Sequence, residues 1–407
     1  MTQFIETLVG IFQSSGFAKF GEPGGWLYAV MICVGCFLLY LAIVKEFEPL
    51  ILLPMAFGMI LANLPGSGII HMQYFVGDGL EHPMWVEILN NGGLADMLYM
   101  GVKLGIYPPL IFLGIGTMTD FAPLISNPKS LLLGAAAQFG IFGTYMGARL
   151  LAATGLVDFT QKQSAAISII GGADGPTAIF VANVLHSQYL GAIMVAAYSY
   201  MALVPIVQPP VIKLLTTQKE RRIRMPYQKG SVSQLTKILF PIVVTIIAGL
   251  VAPASVALVG FLMFGNLLRE CGCLERLSQT AQNDLANLIT LLLGITISFS
   301  MRADQFVNRN TLIIMGLGLV AFVFDSIAGV MFAKLLNLFS KKKVNPMVGA
   351  AGISAFPMSA RVIQKMGIEA DSQNHLLMHA VGANVAGQIA SVLAGGMILN
   401  LVPQLLK

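Results

Sequence analysis

Three apolar runs set the first limit on what this chain can become. They are WLYAVMICVGCFLLYLAIV from Trp26, SLLLGAAAQFGIFGTYMGARLLAA from Ser130 and TLIIMGLGLVAFVFDSIAGVMFAKLL from Thr311. Each approaches or exceeds the roughly 20 apolar residues that a helix needs to cross a bilayer core. Hydrocarbon offers no partner to a backbone N–H or C=O, so only helices and closed barrels span it. Barrel strands are shorter and alternate in polarity. The chain therefore reads as an all-α polytopic membrane protein lying in a lipid bilayer. Only 11% of its 407 residues are charged, against about 25% in soluble domains. Residues 1–25 lack the basic, apolar and small-residue pattern of a cleaved signal peptide, and an interfacial segment is expected there.

The formal charge of +5 does not point to nucleic acid, because one loop supplies most of it. Lys219, Arg221, Arg222, Arg224, Lys229 and Lys237 stand there against Glu220 alone. Such a loop belongs on the cytoplasmic side, either as a solvated linker or as a docking surface for a soluble partner. Cys33, Cys36, Cys271 and Cys273 form no metal array by spacing and are read as structural.

This loop, 217–237, divides the chain into two related halves, 26–216 and 238–407, with about 11–12 hydrophobic elements in all. At an offset of 180 residues Gly114 falls on Gly294, Gly172 on Gly352 and Asp174 on Ser354. Both halves carry an apolar stretch interrupted by Gly and Pro: IIGGADGPTAIF, broken at 171–177, and NPMVGAAGISAFPMSARV, broken at 345–361. Paired interrupted segments mark the ion or substrate site of transporters built from repeats. The breaks free backbone groups that can face an ion. Close packing of small residues is the plainer alternative. Crossed broken helices suit inverted repeats, the arrangement expected here, although a cytoplasmic Lys341–Lys343 run would suit parallel ones better.

A charge inside the bilayer is costly and marks function by default. Asp174 is the strongest case, set among Gly171, Gly172, Gly175 and Pro176. A carboxylate beside freed carbonyls is a hard oxygen site, suited to Na+ or H+. Arg361 follows the second break and suits bidentate recognition of a carboxylate, with a snorkelling interfacial arginine as the alternative. Ser354, Asn345 and Thr177 offer neutral oxygens. Tyr198 and Tyr200 lie in the run beside the first break, where a phenol can ligate an ion or move a proton. Asp325 is expected to pair with Arg149 or Arg302 as structural glue.

The segments GGADGPTAIF, MTDFAPLISNPKSLLLGAAAQFGIF, VNPMVGAAGISAFPMSARV and LLMHAVGANVAGQIASVLAGG together resemble the β subunit of the sodium-pumping biotin-dependent decarboxylases. The resemblance covers nearly the whole chain from about Trp26. It implies a membrane subunit of a multi-subunit complex in the cell membrane. In that complex a carboxyltransferase α subunit moves CO2 onto biotin on a carrier subunit, beside a small γ/δ-type membrane subunit and a homotrimer of β. Decarboxylation of the carboxybiotin consumes a proton and drives Na+ export. The resemblance further implies Asp174 in Na+ binding and proton exchange, Tyr200 as the functional tyrosine, Asn345, Gly349 and Ser354 around Na+, and Arg361 meeting carboxybiotin. By residue types alone, a Na+/organic-anion symporter or a Na+/H+ antiporter fits the two breaks equally well; biotin separates them.

Overall fold

The computed structural model describes residues 15–46, 49–75, 83–225, 232–355 and 358–405, together with Thr7 and Gly10. Most of the 1–25 segment before residue 15 lies outside the described residues. So do residues 226–231 of the basic loop, with Lys229, and Phe356 and Pro357 of the second break.

The described residues form helices joined by short turns. The helices that matter here are α1 Gly25–Val44, α2 Pro49–Ala62, α3 Lys129–Ala137, α4 Phe139–Ala153, α5 Gln161–Ser168, α6 Gly175–Val184, α7 Leu190–Leu215, α8 Gln234–Val251, α9 Val256–Glu270, α10 Ala286–Ile297, α11 Arg309–Phe339, α12 Met347–Ala350, α13 Met358–Ala370 and α14 Leu377–Leu405. Among the described residues, six helical stretches are long and apolar enough to cross a membrane, and up to eight if each of two bent pairs is one span. Other apolar helices are shorter, among them α2 and α6. One bend, of 65°, interrupts α7 between Met201 and Leu203. Pro205 explains it: its ring meets the carbonyl four residues earlier, on Met201, and it has no N–H to offer that carbonyl.

The chain divides into two compact units that do not follow the sequence halves. The smaller comprises residues 1–107, 190–192 and 287–312. Within it α1 packs on α2, and α2 on the 298–300 turn that follows α10. Asn63 is the splice: its Nδ2 donates to the Met301 carbonyl (2.9 Å) while its Oδ1 accepts from the Ala303 N–H (2.8 Å).

The larger unit comprises residues 108–189, 193–286 and 313–407 and is organised around two hairpins. In the first, α5 descends to a 3-10 turn at Ile169–Gly172, Ala173 takes a left-handed φ of 49°, and α6 returns. The return is fixed at the base, where the rings of Phe159 and Tyr189 meet edge to face at 5.4 Å. In the second, α12 leads to the 351–354 turn and α13 returns. Both of its ends meet the segment after α7. Asn345 Nδ2 donates to the carbonyls of Arg221 and Ile223 (2.9 Å each), and Arg222 Nε donates to the Ala370 carbonyl (3.2 Å).

The first hairpin thus has its base at the N-terminal end of α7 and the second just beyond the C-terminal end. Lys334 near the end of α11 pairs with Glu220 at 3.0 Å, which brings the Lys341–Lys343 run to the same end as the basic loop.

Candidate functional site

The tips of the hairpins meet. The Ser354 N–H donates to the Gly172 carbonyl across 3.3 Å, so the two turns matched by sequence offset are neighbours in space. Asp174 caps α6 from the first tip and is 6% exposed. Its Oδ2 accepts from the hydroxyls of Thr177 (2.6 Å) and Ser391 (2.7 Å), and its Oδ1 accepts from the Thr177 N–H (3.3 Å). The local sequence dictates this. An Asp N-cap takes the orphan N–H of the first turn, and Pro176 in that turn costs no hydrogen bond. Both hydroxyls keep lone pairs to offer a cation once rotated. The helix dipole favours a negative charge at this N-terminus.

On the other side Ser354 Oγ donates to the Gly387 carbonyl at 2.9 Å. The turn that carries Ser354 is held open by Asn384 of α14, whose Nδ2 lies within hydrogen-bond distance of the carbonyls of Ala351 (3.2 Å), Ile353 (2.7 Å) and Ala355 (3.3 Å). Gly349 is a steric necessity: a Cβ there would lie 2.0 Å from the Gly329 carbonyl oxygen, so α12 and α11 cross backbone to backbone. Gln208 of α7 donates to the Ala350 carbonyl at 2.7 Å.

The phenols divide. The Tyr198 ring covers Gly175, where a Cβ would come within 2.2 Å of its Cζ, and its buried hydroxyl has no partner among the described residues. Tyr200 donates to the Met315 carbonyl, and Gly318 packs against both Tyr200 and Ile170 of the first turn. Tyr198 therefore stands closer along the surface of the Asp174 cap, and Tyr200 stands behind the preceding turn.

These observations combine an acidic helix cap, two meeting breaks and a polar stripe inside a membrane helix. Similarity along nearly the full length of known proteins decides the family. Residues 28–402 match the model of the Na+-transporting oxaloacetate decarboxylase beta subunit. The chain is 50% identical to the methylmalonyl-CoA decarboxylase subunit beta of Propionigenium modestum, over 98% of this chain and 99% of the relative. It is 48% identical to the glutaconyl-CoA decarboxylase subunit beta of Acidaminococcus fermentans, over 99% of each, and 46% identical to the oxaloacetate decarboxylase beta chain of Klebsiella pneumoniae, over 98% and 99%. The chain belongs to the Na+-transporting decarboxylase beta-subunit family. It is a multi-pass membrane subunit of a Na+-translocating decarboxylase complex.

The other residues singled out in this beta-subunit sequence are spread over the second hairpin. Asn345 is at its base, where its Nδ2 holds Arg221 and Ile223 and its Oδ1 accepts from the Met347 N–H at 3.1 Å. It does not stand with Asp174 and Ser354. Arg361 is exposed on the first turn of α13 and has no ion-pair partner among the described residues. It lies nine residues before Ala370, about 14 Å in from the base at 1.5 Å per residue.

The expected pairing of Asp325 with arginine is not what the structure contains. Asp325 Oδ1 accepts from the Gly140 N–H at 2.7 Å, and Arg149 donates to the Phe159 carbonyl at 3.0 Å. The α3–α4 junction leaves the Gly140 N–H without a helical partner, and the buried Asp325 carboxyl supplies the acceptor.

The basic loop is neither a free linker nor a bare docking surface where it is described. Arg221 donates to the Thr216 carbonyl (2.8 Å), and Arg224 forks onto Asp371 (2.7 and 3.1 Å) and Gln373 (2.8 Å). Hydrogen bonding from Arg224 holds the Asp371 carboxyl below its ordinary range. A depressed carboxyl keeps its charge at and above the ordinary value and loses the pair as pH falls through the lowered one. Arg224→Ala is expected to speed amide exchange in 217–225 and 370–374 at neutral pH, with acid bringing wild type towards the variant. Equal protection in the two proteins at neutral pH would remove the strap role.

Sequence reasoning overlooked the buried polar side chains of α14. Asn384, Gln388 and Ser391 are buried at i, i+4 and i+7, which is one helical face turned to both hairpins. Three polar side chains at that spacing within an apolar run were a usable signal.

Proposed function

We propose that this chain decarboxylates carboxybiotin presented by a partner subunit and couples that step to Na+ export across the cytoplasmic membrane, with consumption of a proton. The observation that carries the coupling is Asp174, a buried carboxylate capped by two hydroxyls at the meeting point of the two hairpins. Na+ and H+ compete for that carboxylate, and the proton displaced when Na+ binds is available to the biotin ring. Carboxybiotin supplies a carboxylate that leaves as CO2 once the ring nitrogen is protonated. Arg361 suits it because its fork matches a carboxylate and it is exposed. Tyr200 relays the proton from the Asp174 region. Ser354 adds a neutral oxygen to the ion path, while Asn345 and Gly349 act through the shape of the second hairpin.

The entry of the two hairpins from opposite ends of α7 supports inverted repeats, with the basic loop and Lys341–Lys343 on the cytoplasmic face. Partners are a carboxyltransferase α subunit, a biotin carrier and a small γ/δ-type membrane subunit, with β as a homotrimer. Relatives named for three different substrates share 46–50% identity with this chain, which supports a choice of acid made on another subunit. The test is to reconstitute the complex, label biotin from labelled substrate, and add Na+. Discharge of the label on adding Na+ is the expected result. A chain that moves Na+ with a free organic acid and never discharges biotin would replace this reading with a symporter.

A further inference from the structure

Gln138 occupies the junction between α3 and α4 and is 3% exposed. Its Nε2 faces three carbonyls, those of Gly134 (3.3 Å), Gly352 (3.2 Å) and Gly387 (3.3 Å). This surrounding fixes the amide orientation, because an oxygen in that place would meet three acceptors. Oε1 therefore points the other way. It is buried without a hydrogen-bond partner among the described residues. Gly172 is its neighbour: a Cβ on that residue would lie 3.4 Å from Gln138 Oε1 and 3.4 Å from Ser391 Cβ. Ser391 is in turn the residue that donates to Asp174. A buried acceptor left open costs about 1–3 kcal/mol, and an ion is one of the partners that accounts for such a group; among the open acceptors this one stands out by its place beside Gly172 and Ser391.

We infer that Gln138 supplies a neutral oxygen to the cation held at Asp174, and that its amide nitrogen ties this oxygen to the second hairpin through Gly352. The inference rests on the proposed Na+ site. One side chain then touches the cation with its oxygen and the facing turn with its nitrogen, so Na+ binding at the first hairpin is felt by the second. A neutral amide also leaves Asp174 as the group whose proton competes with Na+, which a second carboxylate in that place would blur.

The test uses the reconstituted complex and measures decarboxylation against Na+ concentration for wild type, Gln138→Met, Gln138→Glu, Gln138→Asn and Asp174→Asn. Gln138→Met keeps the length and loses both polar groups; it is expected to raise half-saturating Na+ roughly tenfold or more, the size of a lost contact to a charged group. Gln138→Glu keeps an oxygen but loses the donors. It is expected to hold Na+ more tightly than Gln138→Met and to steepen the acid side of Na+ activation. A purely structural role for the donors predicts no difference, with Gln138→Glu as weak as Gln138→Met.

If Gln138→Met fails to assemble, Gln138→Asn against Gln138→Glu decides, since Asn keeps the amide and withdraws the oxygen by one methylene; weaker Na+ binding in Asn is expected. Half-saturation within twofold of wild type in all three Gln138 variants, with Asp174→Asn impaired, overturns this inference alone. Unchanged Na+ dependence in Asp174→Asn as well overturns the Na+ site beneath it.

Discussion

Asp174→Asn is expected to abolish Na+-dependent decarboxylation in a chain that still inserts and assembles. The substitution is isosteric, and Thr177 and Ser391 hold hydroxyls that can turn to donate or accept. The α6 cap survives, because Asn is as good an N-cap as Asp. What disappears is the Asp174 charge at the meeting point of the hairpins and, with it, a carboxyl able to exchange a proton for Na+. Losing a single charge-assisted contact is worth about 1.5–3 kcal/mol, roughly 10- to 150-fold. Losing the exchange itself removes the coupled reaction, so turnover should fall by at least about 100-fold at any Na+ concentration. Rates measured from zero to saturating Na+, with membrane insertion checked in parallel, read the result. A wild-type Na+ response in Asp174→Asn would displace the site from this carboxylate.

Arg361→Lys is expected to trap the partner subunit in its carboxylated form. Lysine keeps the charge and loses the planar fork, and the two are not equivalent where a carboxylate is gripped by two N–H groups. Arg361 is exposed and unpaired among the described residues, so the substitution leaves no orphaned internal partner and little reason for misfolding. On the proposed reading, transfer from substrate to biotin belongs to another subunit and should continue. Discharge should slow by roughly 10- to 150-fold, the value of one good contact between charged groups, and label should accumulate on biotin in the presence of Na+. Discharge as fast as in wild type would free Arg361 from that role.

Some of the site was readable because its causes are local. Asp174 stood out in the sequence since Gly171, Gly172, Gly175 and Pro176 surround it, and each of those residue types acts on its own backbone. Ser354 could be found by the offset from Asp174, and the Ser354–Gly172 hydrogen bond gives that offset a spatial meaning. Asn345, by contrast, looked like one more oxygen near an ion. Its amide is used at the base of the second hairpin, on Arg221 and Ile223, more than 120 residues away in sequence. Nothing about an Asn before a Pro reveals which distant carbonyls it will meet. Gln138 sat unremarked in the middle of a long apolar run for the same reason.

What the sequence determined by itself is the class of molecule and the places where its helices cannot continue. Apolar length, sparse charge and the Gly/Pro chemistry of the two breaks are properties of short windows, and the bilayer enforces them window by window. Whether a break kinks a span or reverses it was decided only by tertiary contacts: Phe159 on Tyr189 closing one hairpin, Arg222 on Ala370 and Asn345 on Arg221 closing the other. The site itself is also tertiary. Its candidate parts come from the α3–α4 junction, α6, α14 and the two turns, and the bond from Gln138 to Gly387 spans 249 residues of sequence. In hydrocarbon each freed backbone group must find a partner somewhere in the fold, and that partner is chosen by packing between segments that no window of the sequence holds together.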